Sequence, residues 1–181
     1  VDGDMSTNDT LLILANGEAK NREITLGTPG YKKFVLFLHD LLFSLAQKIA
    51  SDGEGATKLV VIAVEGARTA SEAERVARAV ATSALVKTAF FGEDANWGRI
   101  LAAIGYSGIE FKPEDVEIFF GDVPILRCNY VISFSEEAAK NVLMQKEILI
   151  TVDLHQGNES ASFWTCDLSK EYVAINANYR T

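Results

Sequence analysis

Cysteine is scarce in this chain. Cys128 and Cys166 are the only two in 181 residues, too few for a disulfide framework and without a His or Cys at metal-ligand spacing, so both read as reduced core thiols in a reducing compartment. Histidine is equally rare. His39 lies within an apolar helical stripe and His155 at a strand end, and neither has a sequence neighbour that would complete a nucleophile–base pair or a metal set. Basic residues are in deficit, with 17 Lys and Arg against 25 Asp and Glu and a net charge of −8. That balance argues against a nucleic-acid surface, which needs clustered cations to neutralise phosphates, and it suits a site that accepts amines. Long apolar runs are lacking too: the best candidate, Phe34 to Leu45, is interrupted by His39, Asp40 and Ser44, short of the roughly 20 residues of a membrane span. It reads as a buried helix, with no membrane partner expected. There is no internal repeat and no low-complexity segment.

What is present describes a soluble globular chain. With 48% apolar and 23% charged residues, it is able to bury a real core as one large or two small domains. The first portion predicts a strand at about Thr10 to Ala15, closed by Asn16-Gly17. A helix follows with Phe34, Val35, Leu38, Leu41, Leu42, Leu45 and Ile49 at helical spacing. Leu59 to Glu65 is a β-branched run suited to a central strand. Ser71-Glu72-Ala73-Glu74 has a capping-box pattern and opens a helix with Val76, Ala77, Val80 and Ala81 inward. Near Phe90 the character changes. A polar loop over Gly92 to Asn96 leads to a short helix over Trp97 to Gly105. Strands are then expected at Val116 to Phe120, Ile125 to Phe134, Ile148 to Leu154 and Ser160 to Leu168, with a helix from Ser135 to about Met144. The fold class is therefore α/β (α+β), divided into residues 1–90 and 91–181.

Four motifs carry what chemistry the chain shows. Asp52-Gly53-Glu54-Gly55-Ala56-Thr57-Lys58 sets a lone carboxylate between two glycines where a helix gives way to a strand. Glycine lets a ligand approach the main chain, so the motif reads as a site loop, beside the plainer reading of a tight turn with a solvated Glu. It is not a phosphate-binding loop, which has four residues between its glycines and a Gly-Lys-Ser/Thr ending. No cofactor is expected. The opening Asp2-Gly3-Asp4-Met5-Ser6-Thr7-Asn8-Asp9 imitates a calcium loop but has Thr7 and Ile13 where Gly and a bidentate Glu are required. We read it as short polar side chains holding a tight loop, with no metal bound. In Asn96-Trp97-Gly98-Arg99, Trp97 is most simply a core anchor and Arg99 a paired structural charge. The tail Ile175-Asn176-Ala177-Asn178-Tyr179-Arg180-Thr181 combines packing groups with amide and hydroxyl groups able to orient an amino acid, where a frayed terminus is the default.

Occurring in order from Val1 to Thr181, these motifs resemble the β chain of the ornithine acetyltransferase family, also called the glutamate N-acetyltransferase or bifunctional arginine-biosynthesis family. The resemblance implies a layered α-β-β-α sandwich portion followed by a smaller C-terminal domain. It also implies that Glu54, Asn176 and Thr181 are substrate-binding residues. The family usually has Thr where this chain has Met5. Its members work through an N-terminal threonine, exposed by self-cleavage of a precursor, that takes an acetyl group from N-acetylornithine and passes it to glutamate. The cleavage motif is absent from these residues, and Thr7, Thr10 and Thr57 are internal, so no catalytic residue is assigned within the chain. The partner implied is the α chain of the same precursor in an α2β2 heterotetramer, in the cytoplasm or, in a eukaryote, the mitochondrial matrix. Acetyl-CoA as a donor is left open. The absence of an initiator Met suggests that Val1 is not a natural translation start, and the ending Tyr-Arg-Thr that Thr181 is the true C-terminus. Two alternatives stand beside this reading: a self-processed aminopeptidase-like relative, and a non-catalytic interaction domain.

Overall fold

Helix formation follows local signals closely. In the computed structural model, which describes residues 1–5 and 7–178, α1 (Pro29–Ser51) starts behind Thr28, whose hydroxyl accepts from the Tyr31 amide, with Pro29 in the first turn. The strand β1 (Leu59–Ala67) comes next. The helix α2 (Ala70–Thr82) is capped by Thr69, which accepts from the Glu72 amide. The cap thus lies two residues before the Ser71 expected from the sequence, because Thr69 and Glu72 supply the same pairing one half-turn earlier. Two short helices, α3 (Ala84–Phe91) and α4 (Trp97–Tyr106), follow. Then come β2 (Glu117–Phe120), β3 (Val123–Leu126), α5 (Glu136–Leu143), β4 (Glu147–Asp153), β5 (Glu159–Cys166) and α6 (Lys170–Asn178).

The strands form one sheet in the order β3-β2-β4-β1-β5. β1 runs parallel to β4 and antiparallel to β5, while β2 is antiparallel to both β3 and β4. The sheet thus joins β1, from before residue 90, to four strands from after it. Alternation along the strands sends Val60, Ile62 and Val64 of β1 and Ile148, Ile150 and Val152 of β4 to one fully buried face. Helices α2 to α5 cover that face: Val76, Ala77, Val80, Phe90, Ile104 and Leu143 belong to the same core, and the Phe90 ring meets Phe120 edge-on. The α/β architecture read from the sequence is present.

Three expectations fail, each for want of a partner surface or a permitted backbone. The strand expected at Thr10 to Ala15 does not form, and Leu11, Leu12, Ile13 and Leu14 are exposed. A strand needs a neighbour to take its backbone hydrogen bonds, and among the described residues none lies beside this one. The helix expected to be buried forms but has only Ala50 buried, with Leu36 66% and Phe37 69% exposed. By length and composition α1 is in fact apolar enough to cross a membrane. It rests on β5 through Phe43, edge-on to Trp164 at 4.6 Å. Trp164 points away from Phe163, which packs under Arg78 of α2, so α1 lies on the sheet face opposite α2. Much of that second face stays open, Leu149 being 45% exposed. Finally, the strand expected over Ile125 to Phe134 stops at Leu126. Asn129 and Tyr130 turn through left-handed backbone (φ 59° and 58°), leaving only a bridge between Arg127 and Val131.

One buried cation ties the start of the chain to this frame. Lys87 of α3 is 1% exposed, and its ammonium donates to Val1 O at 2.6 Å, Cys166 O at 2.6 Å and Thr165 Oγ1 at 2.9 Å. All three donors of the ammonium are used, the condition on which a buried charge is tolerated. Lys87→Met keeps the stem and removes the donor to two carbonyls and a hydroxyl. It should lower unfolding stability by about 2–3 kcal/mol, read from the denaturant midpoint of the assembled protein.

Candidate functional site

The turn between α1 and β1 is held from below by a single carboxylate. Asp167, 2% exposed, accepts from the amides of Thr57 at 2.7 Å and Lys58 at 3.0 Å and from the Thr57 hydroxyl at 2.6 Å. Charge-assisted bonds of this kind are short and strong. Ser169, two residues on, donates to Gly55 O at 2.6 Å and accepts from the Glu171 amide at 3.1 Å, which seats the first turn of α6 against the loop. Gly55 has φ 66°, and a Cβ there would stand 2.5 Å from the Tyr172 amide nitrogen. Glycine is required on both counts.

This docking carries Asn176 to Glu54. The Asn176 Nδ2 donates to Glu54 Oε2 at 2.7 Å and to Tyr172 O at 3.0 Å, so the amide is fixed by its own helix and aims the carboxylate. Both side chains are exposed. Of the three residues expected to bind substrate, two, separated by 122 positions, are thus in direct contact. Thr181 lies outside the described residues.

The acidic opening joins the same cluster. Asp2 Oδ1 accepts from the Asp4 amide at 3.0 Å and Asp2 Oδ2 from the Tyr172 hydroxyl at 2.9 Å. Burial acts to raise the Asp2 carboxyl, but these two hydrogen bonds, with the N-terminal charge and its own backbone amide, hold the group below its ordinary value. The bond to Asp2 in turn raises the Tyr172 phenol, with burial adding to the effect. Gly53 makes room for the start of the chain, since a Cβ on it would stand 2.9 Å from a methyl of Val1. Asp167, Ser169 and Lys87 were not singled out from the sequence, and Tyr172 was read only as a packing residue of the tail. For Asp167 and Ser169 the only signal was a run of polar residues directly after an apolar strand, and Lys87, within the apolar helix α3, had none.

Other candidates fall to structural roles. Asn96 caps α4 by accepting from the Arg99 amide at 3.2 Å, and Trp97 packs against the core. Arg99 was expected to be paired with an acidic charge, yet it donates to Leu85 O at 2.9 Å and Thr88 Oγ1 at 3.3 Å, so it bridges α4 to α3 through neutral acceptors. Lys58, 9% exposed, reaches Phe90 O at 3.2 Å and Glu93 Oε1 at 3.4 Å. His39 is on the open surface of α1, stacked on Phe43. Cys166 is buried as expected, but Cys128 is only half-buried. His155 also has neighbours the sequence did not reveal, since it faces Glu117 and Asp153.

A clamped Gly-Glu-Gly turn, a helix-borne Asn on its carboxylate and an Asp-rich opening strapped to the same helix make one constellation. The model of the ArgJ family matches residues 1–181. The chain belongs to the ArgJ family. Two relatives named arginine biosynthesis bifunctional protein ArgJ, from Symbiobacterium thermophilum and Geobacter sulfurreducens, are 52% and 53% identical over all of this chain. The chain spans 45% and 46% of their lengths, so it corresponds to about half of each. A crystal structure of the protein of that name from Bacillus halodurans superimposes with a TM-score of 0.91 at 46% identity, covering 99% of this chain and 84% of that one. The chain therefore has the fold of that ArgJ structure. If Asp167 is the clamp of the turn, Asp167→Ala should speed amide exchange at Thr57 and Lys58 at least about tenfold. Exchange at Val60 and Ile62, whose amides belong to the sheet, should change far less.

Proposed function

We propose that this chain is the β-chain portion of an acetyltransferase that moves the acetyl group of N-acetylornithine to glutamate, with its nucleophile outside these residues. The observation that carries the reading is the Glu54–Asn176 contact, a carboxylate aimed by an amide at the mouth of a rigid turn, in a chain of the ArgJ family. Glu54 would take the charged amine of ornithine and Asn176 a second polar group of the amino acid, with Thr181 as a third contact. In the chemistry proposed, a threonine hydroxyl of the missing portion attacks the acetyl carbonyl, the C–N bond breaks and ornithine leaves with the proton. The amine of glutamate then attacks the acyl-threonine ester and restores the hydroxyl. The chain's own residues bind and orient.

The uncovered surfaces favour an α chain as partner. Leu11 to Leu14, the outer side of α1 and Leu149 on the open sheet face are all exposed, and exposed large apolar side chains in such numbers mark surface that a partner covers. The relatives contain about as much chain again, enough to pair with the first and cover the others. On this reading α1 is packed by protein in a soluble cytoplasmic enzyme, assembled as a heterotetramer, and it crosses no membrane.

Glu54→Gln keeps shape and removes charge. In the assembled enzyme it should weaken productive binding of N-acetylornithine by about 1.5–3 kcal/mol, the range for a hydrogen bond to a charged group, seen as a roughly ten- to hundredfold fall in kcat/KM without loss of folding. Unchanged kinetics would remove the amine contact. Release of free amino acids from peptides, in place of acetyl transfer, would favour an aminopeptidase-like relative.

A further inference from the structure

At the end of β1 away from Glu54, three side chains from distant parts of the sequence converge. Glu117 lies on β2, Cys128 in the turn after β3 and His155 two residues past β4, where Asp153 is in register with both Glu117 and Glu65. A carboxylate oxygen, the Cys128 sulfur and an imidazole nitrogen lie within 4.8 Å of one another. His155 Nε2 is 3.3 Å from Glu117 Oε2, already the separation of two ligand atoms on one tetrahedral ion, whose bonds of about 2.0–2.3 Å set such atoms some 3.3–3.8 Å apart.

A second observation concerns the other ring nitrogen. His155 Nδ1 faces Asp153 Oδ2 at 3.5 Å, and Asp153 Oδ1 accepts from the His155 amide at 2.9 Å. A carboxylate behind the imidazole selects the tautomer that presents Nε2 and orients the ring, the usual outer-shell partner of a metal-bound histidine. The corner that achieves this is specially built. His155 has a left-handed backbone (φ 50°), and Gly66 opposite has φ 66° where a Cβ would collide with Asp153.

We propose that Glu117, Cys128 and His155 bind a zinc ion, with Asp153 positioning His155 and an open fourth place for water. The donor set of one thiolate, one imidazole and one carboxylate is of borderline softness and matches zinc better than magnesium or calcium, which take oxygen. Arg127 is the competitor. Its guanidinium is 3.4 Å from both Glu117 oxygens and 4.9 Å above the Phe119 ring, so it supplies the positive charge at Glu117 when no ion is bound. An ion must take that carboxylate from it. Occupied, the site clips β2, the turn after β3 and the β4–β5 corner together, and binding to the folded state alone raises stability.

The test uses the complete protein freed of metal by chelation and titrated with Co²⁺ as a spectroscopic probe, followed by displacement with Zn²⁺. One equivalent should develop a sulfur-to-cobalt charge-transfer band in the near ultraviolet and the strong visible bands of four-coordinate cobalt. Cys128→Ser should abolish the first, while Cys166→Ser should keep it. Asp153→Asn should weaken binding about tenfold. Arg127→Gln, an exposed change that leaves all three ligands in place, should tighten binding several-fold, whereas a purely structural Arg127–Glu117 pair would leave affinity unchanged or lower it. No charge-transfer band in the parent protein, a band that survives Cys128→Ser or is lost in Cys166→Ser, or no gain with Arg127→Gln would each overturn the proposal.

Discussion

The Asp167 carboxylate is the constraint on which the site depends. It stands at the end of β5, where the chain leaves the sheet; its Oδ1 collects the amides of Thr57 and Lys58 and its Oδ2 the Thr57 hydroxyl, just before β1 enters the sheet. Two chain segments on neighbouring strands are thereby locked at the same height. Glu54 and α6 inherit their positions from that lock, because Ser169 extends it to Gly55 and to the first turn of the helix. A buried carboxylate is costly unless it is fully bonded, and here three donors satisfy it. The same clamp carries Tyr172 to Asp2, so the chain's acidic opening and its last helix meet across the Gly-Glu-Gly turn.

The molecule is otherwise strongly one-sided. Helices α2 to α5 seal one sheet face with a continuous core, while on the other α1 packs over β5. Hydrophobic burial is the dominant favourable term in folding, and an exposed apolar helix forgoes it. The open side, the unpaired segment at Leu11–Leu14 and the match to about half the length of its relatives describe the same circumstance from three directions. Glu54 and Asn176 are exposed as well, and under the function proposed above the further walls of their pocket would come from the partner portion.

Much of the fold was legible in particular residues. Val60, Ile62 and Val64 alternate with less buried neighbours and form the central strand. Ser135 caps α5, and the inward stripe of α2 falls on Val76, Ala77, Val80 and Ala81. The failures have a common cause. Leu11 to Leu14 have strand-forming character and α1 an apolar stripe, but pattern reports what a segment is able to bury and not whether a surface is there to receive it. Arg99 drew an ion-pair reading from its charge, and the geometry gave it carbonyl and hydroxyl acceptors instead. Cys128 and His155 looked isolated because 27 positions separate them along the chain, whereas the sheet brings the ends of β2, β3 and β4 to one corner.

By itself the sequence determined the kinds of elements, the family, and Glu54 and Asn176 as the residues to watch. These rest on local chemistry: side-chain period, caps, turn residues and recognisable motifs. Only the tertiary structure decided that Asn176 Nδ2 meets Glu54, that Asp167 holds the turn beneath them and that Lys87 receives the start of the chain. Those contacts span from 86 to 122 positions. They depend on which strands lie side by side and in what register, and no local pattern encodes the order β3-β2-β4-β1-β5.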